Sequence, residues 1–163
     1  MSDFDTRKKE LLQPLLFEAG AGLMDCQGFE FGVALLLFHL ARLGAAGLDP
    51  TKVSLILENQ DKKTAGQLIV LLKKHVMVSE GIETALEEAL AARNTLIHRV
   101  LIDHIEQVAQ AETRASLVLE IRALRIKVQK AKKLLHPFVV AFGEALDGIE
   151  QRRIEQEVRQ ALS

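Results

Sequence analysis

The chain has 163 residues, of which 48% are hydrophobic and 26% are charged, so its composition excludes a disordered segment and fits one folded domain. Its formal net charge of −1 argues against a protein that coats nucleic acid through overall charge, but it leaves room for a local basic surface. The single cysteine, Cys26, excludes an intrachain disulfide and a cysteine-based metal cluster and fits a reducing cytoplasm.

The N-terminal residues 1–10 are charged and lack the apolar core of a signal peptide. The longest uninterrupted apolar stretch, Phe31 to Phe38, is too short to span a bilayer. The sequence therefore predicts a soluble, cytoplasmic protein that is not inserted in a membrane.

Apolar residues at helical spacing, with three prolines and no alternating hairpin pattern, predict an all-α protein. A first helix is expected from about Asp5 to Ala19, and Pro14 is expected to kink or divide it. Gly20 and Gly22 allow a bend or a close helix contact. A second, central helix is expected from about Leu23 to Leu43.

The next part of the chain predicts shorter elements. The small residues and Asp-Pro signal of Gly44 to Pro50 end the second helix. Thr51 to Glu58 is expected to form a short helix or turn, and Asn59 to Lys63 a polar break. Thr64 then opens a third helix that ends near His75, where basic residues favour the negative end of the helix dipole.

A fourth helix is expected to start near Ser79, to continue to about Gln110 and to break after His98. Leu86 and Leu90 lie on an apolar stripe at helical spacing that continues through Arg93 to Ile97. A charge in that position must be paired or must face a cleft, because an isolated buried charge is very costly.

Arg93, Asn94 and His98 interrupt this stripe. Asn94 and His98 share a helical face, whereas Arg93 and His98 point about 140° apart in a straight helix. A joint site therefore predicts a bend near His98 or a second copy of the motif across a symmetric interface. Arg and His suit phosphate binding and proton transfer. The alternative is an Arg paired with Glu87 or Glu88 and a His that caps the helix or lies on the surface.

The segment Arg93-Asn94-Thr-Leu-Ile-His98 resembles the Arg, polar residue, short spacer and His motif of HEPN domains (higher eukaryotes and prokaryotes nucleotide-binding). Thr64-Ala-Gly-Gln-Leu-Ile resembles a run found before that motif in bacterial members. The resemblance covers roughly Lys63 to Leu101 and implies a homodimer whose two motifs meet in one cleft. Many members cleave RNA without a metal. By this resemblance, His98 transfers a proton during attack of a ribose 2′-hydroxyl, Arg93 stabilises the phosphate, and Asn94 orients that group or its partner.

From about Glu112 the sequence predicts one or two long helices, which Pro137 is expected to kink or end, with residues 137–163 as a C-terminal helical extension. A basic run on this element suits an RNA backbone or an acidic partner. The residues expected to make that contact are Arg122, Arg125, Lys127, Lys130 and Lys133. The alternative is a solvated helix face, and the absence of Trp and Tyr argues against base stacking.

These observations predict one HEPN-like domain over residues 1–163, an up-and-down bundle of four or five helices with a long C-terminal helix. The expected function is a metal-independent endoribonuclease of toxin–antitoxin or defence type, acting as a homodimer without a cofactor. RNA and an antitoxin or another protein are the expected partners. The alternatives are a non-catalytic helical regulator that docks on a protein and a nucleotide-binding module without turnover.

Overall fold

A computed structural model describes residues 3–58, 64–77 and 79–161 of the chain. The protein is all-α, as predicted, and the described residues contain no strand. Five of the seven helices in these residues have eight or more residues, in agreement with the expected bundle. In chain order they are α1 (Asp3–Arg42), α2 (Pro50–Leu57), α3 (Ala65–His75), α4 (Glu80–His98), α5 (Val100–Asp103), α6 (Ile105–Ala109) and α7 (Ala111–Ala161).

The helix α1 is a single element of 40 residues, although the sequence predicted two. It continues through Pro14, which removes one backbone hydrogen bond, and through Gly20 and Gly22. The prediction of two helices is wrong because buried residues recur on both sides of Gly20 and Gly22 and favour one continuous helix. These residues are Leu15, Cys26, Phe29, Val33 and Leu37.

The helix α7 has 51 residues and contains Pro137, so of the two expected effects of this proline, a kink or an end of the helix, the end does not occur. Buried Leu135 precedes the proline and buried Leu146 follows it. Packing on both sides offsets the hydrogen bond that the proline cannot make. Residues 137–161 continue α7, as the predicted C-terminal extension requires.

Residue contacts divide the chain into two units, Met1–Phe29 with Ser79–Lys132 and Glu30–Val78 with Lys133–Ser163. Both α1 and α7 contribute to each unit. The prediction of one domain over residues 1–163 stays a prediction.

In the first unit, α1 and α7 run parallel. Arg122 donates to Glu18 and Gln129 donates to Asp25, and each pair is 104 residues apart in the sequence. The helix α4 approaches α1 closely, because a Cβ on Gly22 would lie 3.4 Å from Leu96. The core cluster of this unit contains Leu15, Val100, Leu117 and Ile121, with Leu96, Val108 and Val118 packed against it.

The second unit contains α2 and α3 with the adjoining parts of α1 and α7. Asp49 caps α2 by accepting a hydrogen bond from the Thr51 amide at 2.9 Å. Thr64 and Gln67 form a capping box at the start of α3, as the sequence suggested for Thr64. Gly47 has a φ of +82°, a left-handed conformation that glycine adopts without strain, in the turn between α1 and α2.

The elements after α1 follow the sequence closely. The predicted short helix at Thr51 to Glu58 is α2, and the third predicted helix is α3. The fourth starts at Glu80 and ends at His98, where the sequence placed a break, and α5 and α6 follow it. The polar break expected at Asn59 to Lys63 lies outside the described residues.

One helix of the described residues, Leu12–Arg42, is long and apolar enough to cross a membrane by length and composition, with a mean hydropathy of 1.3. The sequence-based prediction that no segment spans a membrane considered only uninterrupted apolar stretches. Glu18 and Asp25 interrupt the apolar sequence of this helix, so no such stretch is long enough. A core helix of a soluble protein satisfies the same criterion, so this property does not distinguish the two. The cytoplasmic location stays a prediction.

Candidate functional site

Arg93, Asn94 and His98 meet at the C-terminal end of α4. Arg93 Nη1 donates to Asn94 Oδ1 at 3.1 Å and lies 3.1 Å from His98 Nε2. The expected angle between Arg93 and His98 applies to the directions in which their side chains leave the helix. The arginine side chain is long enough to reach His98 in spite of this angle. A single chain therefore brings the two groups together without a second copy.

The break that the sequence placed after His98 is present beside this cluster. Arg99 has φ −127° and ψ −38°, which are not helical values, and it separates α4 from the short helix α5. The side chain of Arg99 donates to Asp103 at 2.9 Å, within α5. The Arg99 side chain therefore contacts Asp103 of α5, whereas the Arg93 side chain contacts His98.

Arg93 lies at the edge of the buried face of α4. The buried residues of this helix are Ala85, Leu86, Ala89 and Ala92. Arg93 is half-buried, and Leu90 and Ile97 are also only partly buried. Arg93 is therefore a partly buried residue on the helical face that also carries the buried Leu86 and Ala89. A rim position keeps a charge accessible at lower cost than a core position.

The contact between Arg93 and His98 is one in which the guanidinium group can only donate. Nε2 of His98 is therefore the acceptor when the two groups share a hydrogen bond. Both Asn94 and His98 are exposed, so a ligand can reach the cluster. The arrangement can hold an anion through Arg93 and can accept a proton at His98 Nε2.

The predicted basic run on α7 divides into two groups. Arg122 and Arg125 pair with Glu18, and Arg125 also pairs with Asp25 at 2.8 Å. These two arginines therefore join α7 to α1. The three lysines of the run are exposed: Lys127, Lys130 and Lys133.

Glu18 and Asp25 are the residues of this network that the sequence reasoning missed. Glu18 is buried, accepts two hydrogen bonds from Arg122, at 2.9 and 2.6 Å, and also accepts one from Arg125. The hydrogen bond from Arg122 is the main cause that lowers the pKa of Glu18, although burial opposes it. The available signal was the spacing: Glu18 and Asp25 are seven residues apart on an otherwise uncharged stretch of α1.

No group of three His, Cys, Asp or Glu side chains that could hold a metal ion occurs among residues 3–58, 64–77 and 79–161 whose side chains the structure describes. His104, close to the motif in sequence, lies 3.4 Å from Glu120 of α7. Cys26 is buried in the first unit.

No family model matches the chain, and neither the curated proteins nor the solved structures searched gave a significant match.

Proposed function

We propose that the chain is a HEPN-like, metal-independent endoribonuclease whose site contains Arg93, Asn94 and His98. The observation that supports it is the approach of Arg93 Nη1 to His98 Nε2, at 3.1 Å, on the exposed end of α4. A cation that binds phosphate and a base that accepts a proton are the two groups that RNA cleavage by an internal nucleophile requires.

In the proposed reaction, a phosphodiester of RNA takes donors of Arg93 that otherwise point at His98 and Asn94. Nε2 of His98 is then free to accept the proton of the ribose 2′-hydroxyl. The 2′-oxygen attacks phosphorus, and the bond from phosphorus to the 5′-oxygen breaks. Arg93 stabilises the additional negative charge on the phosphoryl oxygens, and Asn94 orients Arg93. The products are a 2′,3′-cyclic phosphate and a 5′-hydroxyl.

The 5′-oxygen needs a proton as it leaves, and we propose that the His98 of a second copy, entering the reaction in its protonated form, donates it. The outer face of α4 carries Ala91, Asn94 and His98, which are all exposed and follow one another at helical spacing. The small side chain of Ala91 allows another helix to approach this face. A symmetric dimer formed there would bring two motifs to one cleft.

The setting that we propose is a cytoplasmic toxin–antitoxin or defence system. A ribonuclease that needs no metal is active whenever it is folded, so a cell must restrain it by another protein. An antitoxin or comparable inhibitor is therefore the expected protein partner.

The first test is cleavage of labelled RNA by the purified protein in excess chelator, with His98→Ala beside the wild type. We expect the wild type to leave cyclic-phosphate ends and His98→Ala to lose at least about a hundredfold in rate, because the proton acceptor is gone. Arg93→Lys should lose about tenfold or more, because lysine cannot make the forked contact to phosphate.

The matched control is His136→Ala, which removes another exposed histidine, in α7, and should cleave at the wild-type rate. Equal cleavage by the wild type and His98→Ala would identify a contaminating nuclease. Absence of cleavage on structured and single-stranded RNAs would contradict the proposal and favour a non-catalytic helical regulator.

A further inference from the structure

In the second unit, the exposed face of α7 carries an apolar stripe. Leu134 and Phe138 are 36% and 42% exposed, and Ala141 and Ala145 are exposed on the turns that follow. Steps of four, three and four residues place these four side chains on one helical face, at the core positions of a heptad. A helix that faces water normally carries polar residues there, so the stripe is typical of a surface that another molecule covers.

The stripe is turned away from the core of its own unit. Leu135 and Leu146 are the buried residues of this part of α7 in the second unit. Gly143 faces α1, because a Cβ there would lie 3.6 Å from Nε2 of His39. Gly143 is two residues from each alanine of the stripe, so it points about 160° away from them. The helix α1 therefore packs on the opposite side of α7 and leaves the stripe open.

The two halves of the stripe differ in size. Leu134 and Phe138 form the first half, and Ala141 and Ala145 form the second. In a symmetric antiparallel pair, each residue meets the one that lies equally far from the midpoint on the other side. Phe138 then meets the second copy's Ala141, and Leu134 meets the second copy's Ala145. A large side chain faces a small one in every layer, which lets the layers interdigitate, whereas a parallel pair would place Phe138 against Phe138.

The charges beside the stripe favour the same alignment. Lys133 and Glu144 are exposed, and they lie on one side of the stripe because they are eleven residues apart. Lys133 is near the start of the stripe and Glu144 is near its end, so an antiparallel copy brings each lysine within reach of the other copy's glutamate. A parallel copy would set like charges against each other. The other ionisable residues of 133–148, His136 and Asp147, point more than about 90° away from the stripe.

Charged residues also limit the length of the stripe. Lys127 and Arg152 lie on the same helical face, one heptad before its start and one heptad after its end, and both are exposed. The contact is therefore expected to cover about three turns, with the two helices crossing rather than running alongside each other. Because so short a contact buries little surface, we expect a weak, reversible association.

We propose that this stripe is a self-association surface, on which α7 of a second copy packs in the antiparallel direction. Phe138 and Leu134 would be covered by the alanines of the other copy, and two pairs of Lys133 with Glu144 would flank them. The stripe is distinct from the outer face of α4, which the proposed ribonuclease dimer uses, so either contact can fail without the other.

The test is sedimentation equilibrium of the full chain. Every sample carries Ala91→Glu, which puts a charge on the exposed outer face of α4 and removes association through that face. A concentration-dependent equilibrium between monomer and dimer should remain. Phe138→Gln should weaken it at least about tenfold, because the largest side chain of the contact is lost. The matched control, Phe31→Gln, changes an exposed phenylalanine of α1 in the same unit and should leave the equilibrium unchanged.

Paired substitutions test the alignment of the two helices. Ala141→Phe should weaken association about tenfold, because two large side chains then meet. Adding Phe138→Ala to it restores one large and one small residue in each layer and should recover most of the loss. Lys133→Glu and Glu144→Lys should each weaken association about threefold, and the two together should restore it, because opposite charges meet again.

A monomer at about 0.5 mM, or association that survives Phe138→Gln, would overturn the proposal. Paired substitutions that are no better than the single ones would overturn the antiparallel alignment. Vesicles of phosphatidylcholine are tested beside the protein alone. Binding to them that depends on Phe138, without self-association, would assign the stripe to a membrane and would also overturn the proposal.

Discussion

Glu18 is a buried carboxylate with two arginine partners on another helix. Its side chain is only 5% exposed, and both Arg122 and Arg125 bond to it. A buried charge that loses its partners is strongly destabilising, whereas one that keeps them is tolerated. Glu18 thereby favours the parallel alignment of α1 with α7, because shifting either helix by one turn would separate the carboxylate from both arginines.

The same residue makes stability depend on pH. The hydrogen bond from Arg122 is the largest cause that lowers the pKa of Glu18 from its ordinary value of 4.5. A lowered pKa means that the folded protein binds this proton more weakly than the unfolded chain does. The stabilisation from Glu18 is therefore complete above pH 4.5 and is lost as the pH falls through the pKa of the folded state.

We predict that Glu18→Gln lowers the free energy of unfolding by about 2 kcal/mol at pH 7, because a neutral amide cannot replace the three charge-assisted hydrogen bonds that Glu18 accepts. Urea unfolding monitored by circular dichroism measures this difference. Repeating it at a pH below the lowered pKa of folded Glu18 should bring wild type and variant together. Glu120→Gln removes an exposed carboxylate beside His104 and should change stability by less than about 0.5 kcal/mol. A pH-independent difference for Glu18→Gln would contradict the argument.

At the scale of single helices, α3 and α4 begin in different ways. Thr64 accepts a hydrogen bond from the Gln67 amide at 3.3 Å, and the Gln67 side chain accepts one from the Thr64 amide at 2.9 Å. Ser79 precedes α4 in the same role but makes no capping hydrogen bond through its side chain. Thr64 and Ser79 can therefore be compared as an N-cap residue whose side chain makes a capping hydrogen bond and one whose side chain does not.

We predict that Thr64→Ala lowers the free energy of unfolding by about 1 kcal/mol, because the first turn of α3 loses a hydrogen-bond acceptor. Ser79→Ala should change it by less than about 0.5 kcal/mol, since no capping bond is lost. Urea unfolding compares the two variants, and hydrogen exchange of the α3 amides locates the effect. Equal losses in both variants would show that the capping box does not stabilise α3 in solution.

The helices that the sequence located well are the ones with local start and stop signals. Asp49 with Pro50, Thr64 with Gln67, and the break after His98 all act within a few residues, so the sequence displays them directly. The long helices were predicted in pieces because Pro14 and Pro137 are local signals for interruption. What overrides them is packing against helices about 100 residues away, which no local pattern contains.

The candidate site was also predicted only in part. The motif named Arg93, Asn94 and His98, and these three do meet. The partial burial of Arg93 could not be predicted from the apolar stripe, because Leu86 of that stripe is buried whereas Leu90 and Ile97 are only partly buried. Arg122 and Arg125 of α7 were placed in one basic run with the lysines, because the sequence does not show which basic residues have an acidic partner. Their pairing with Glu18 and Asp25 depends on how α1 and α7 align.

For the molecule as a whole, the open question is whether one chain or two complete the active site. Arg93 and His98 of one chain already lie within hydrogen-bond distance. A lone chain offers one imidazole, whereas cleavage needs one proton removed from the 2′-oxygen and another delivered to the 5′-oxygen. A shared cleft supplies two imidazoles and two guanidinium groups. If one of each is lost, the remaining imidazole can still remove the proton of the 2′-hydroxyl while water delivers a proton to the 5′-oxygen, so cleavage should persist at a lower rate.

We predict that mixing Arg93→Ala with His98→Ala restores RNA cleavage that neither variant has alone. A mixed dimer would retain one Arg93 and one His98 in the shared cleft, on opposite chains, and should cleave at a small fraction of the wild-type rate. The measurement is cleavage after the two variants are unfolded and refolded together, with each refolded alone as the control. Sedimentation must show dimers in all three samples. Dimers that remain inactive in the mixture would mean that each chain uses only its own Arg93 and His98, and the composite cleft would then be wrong.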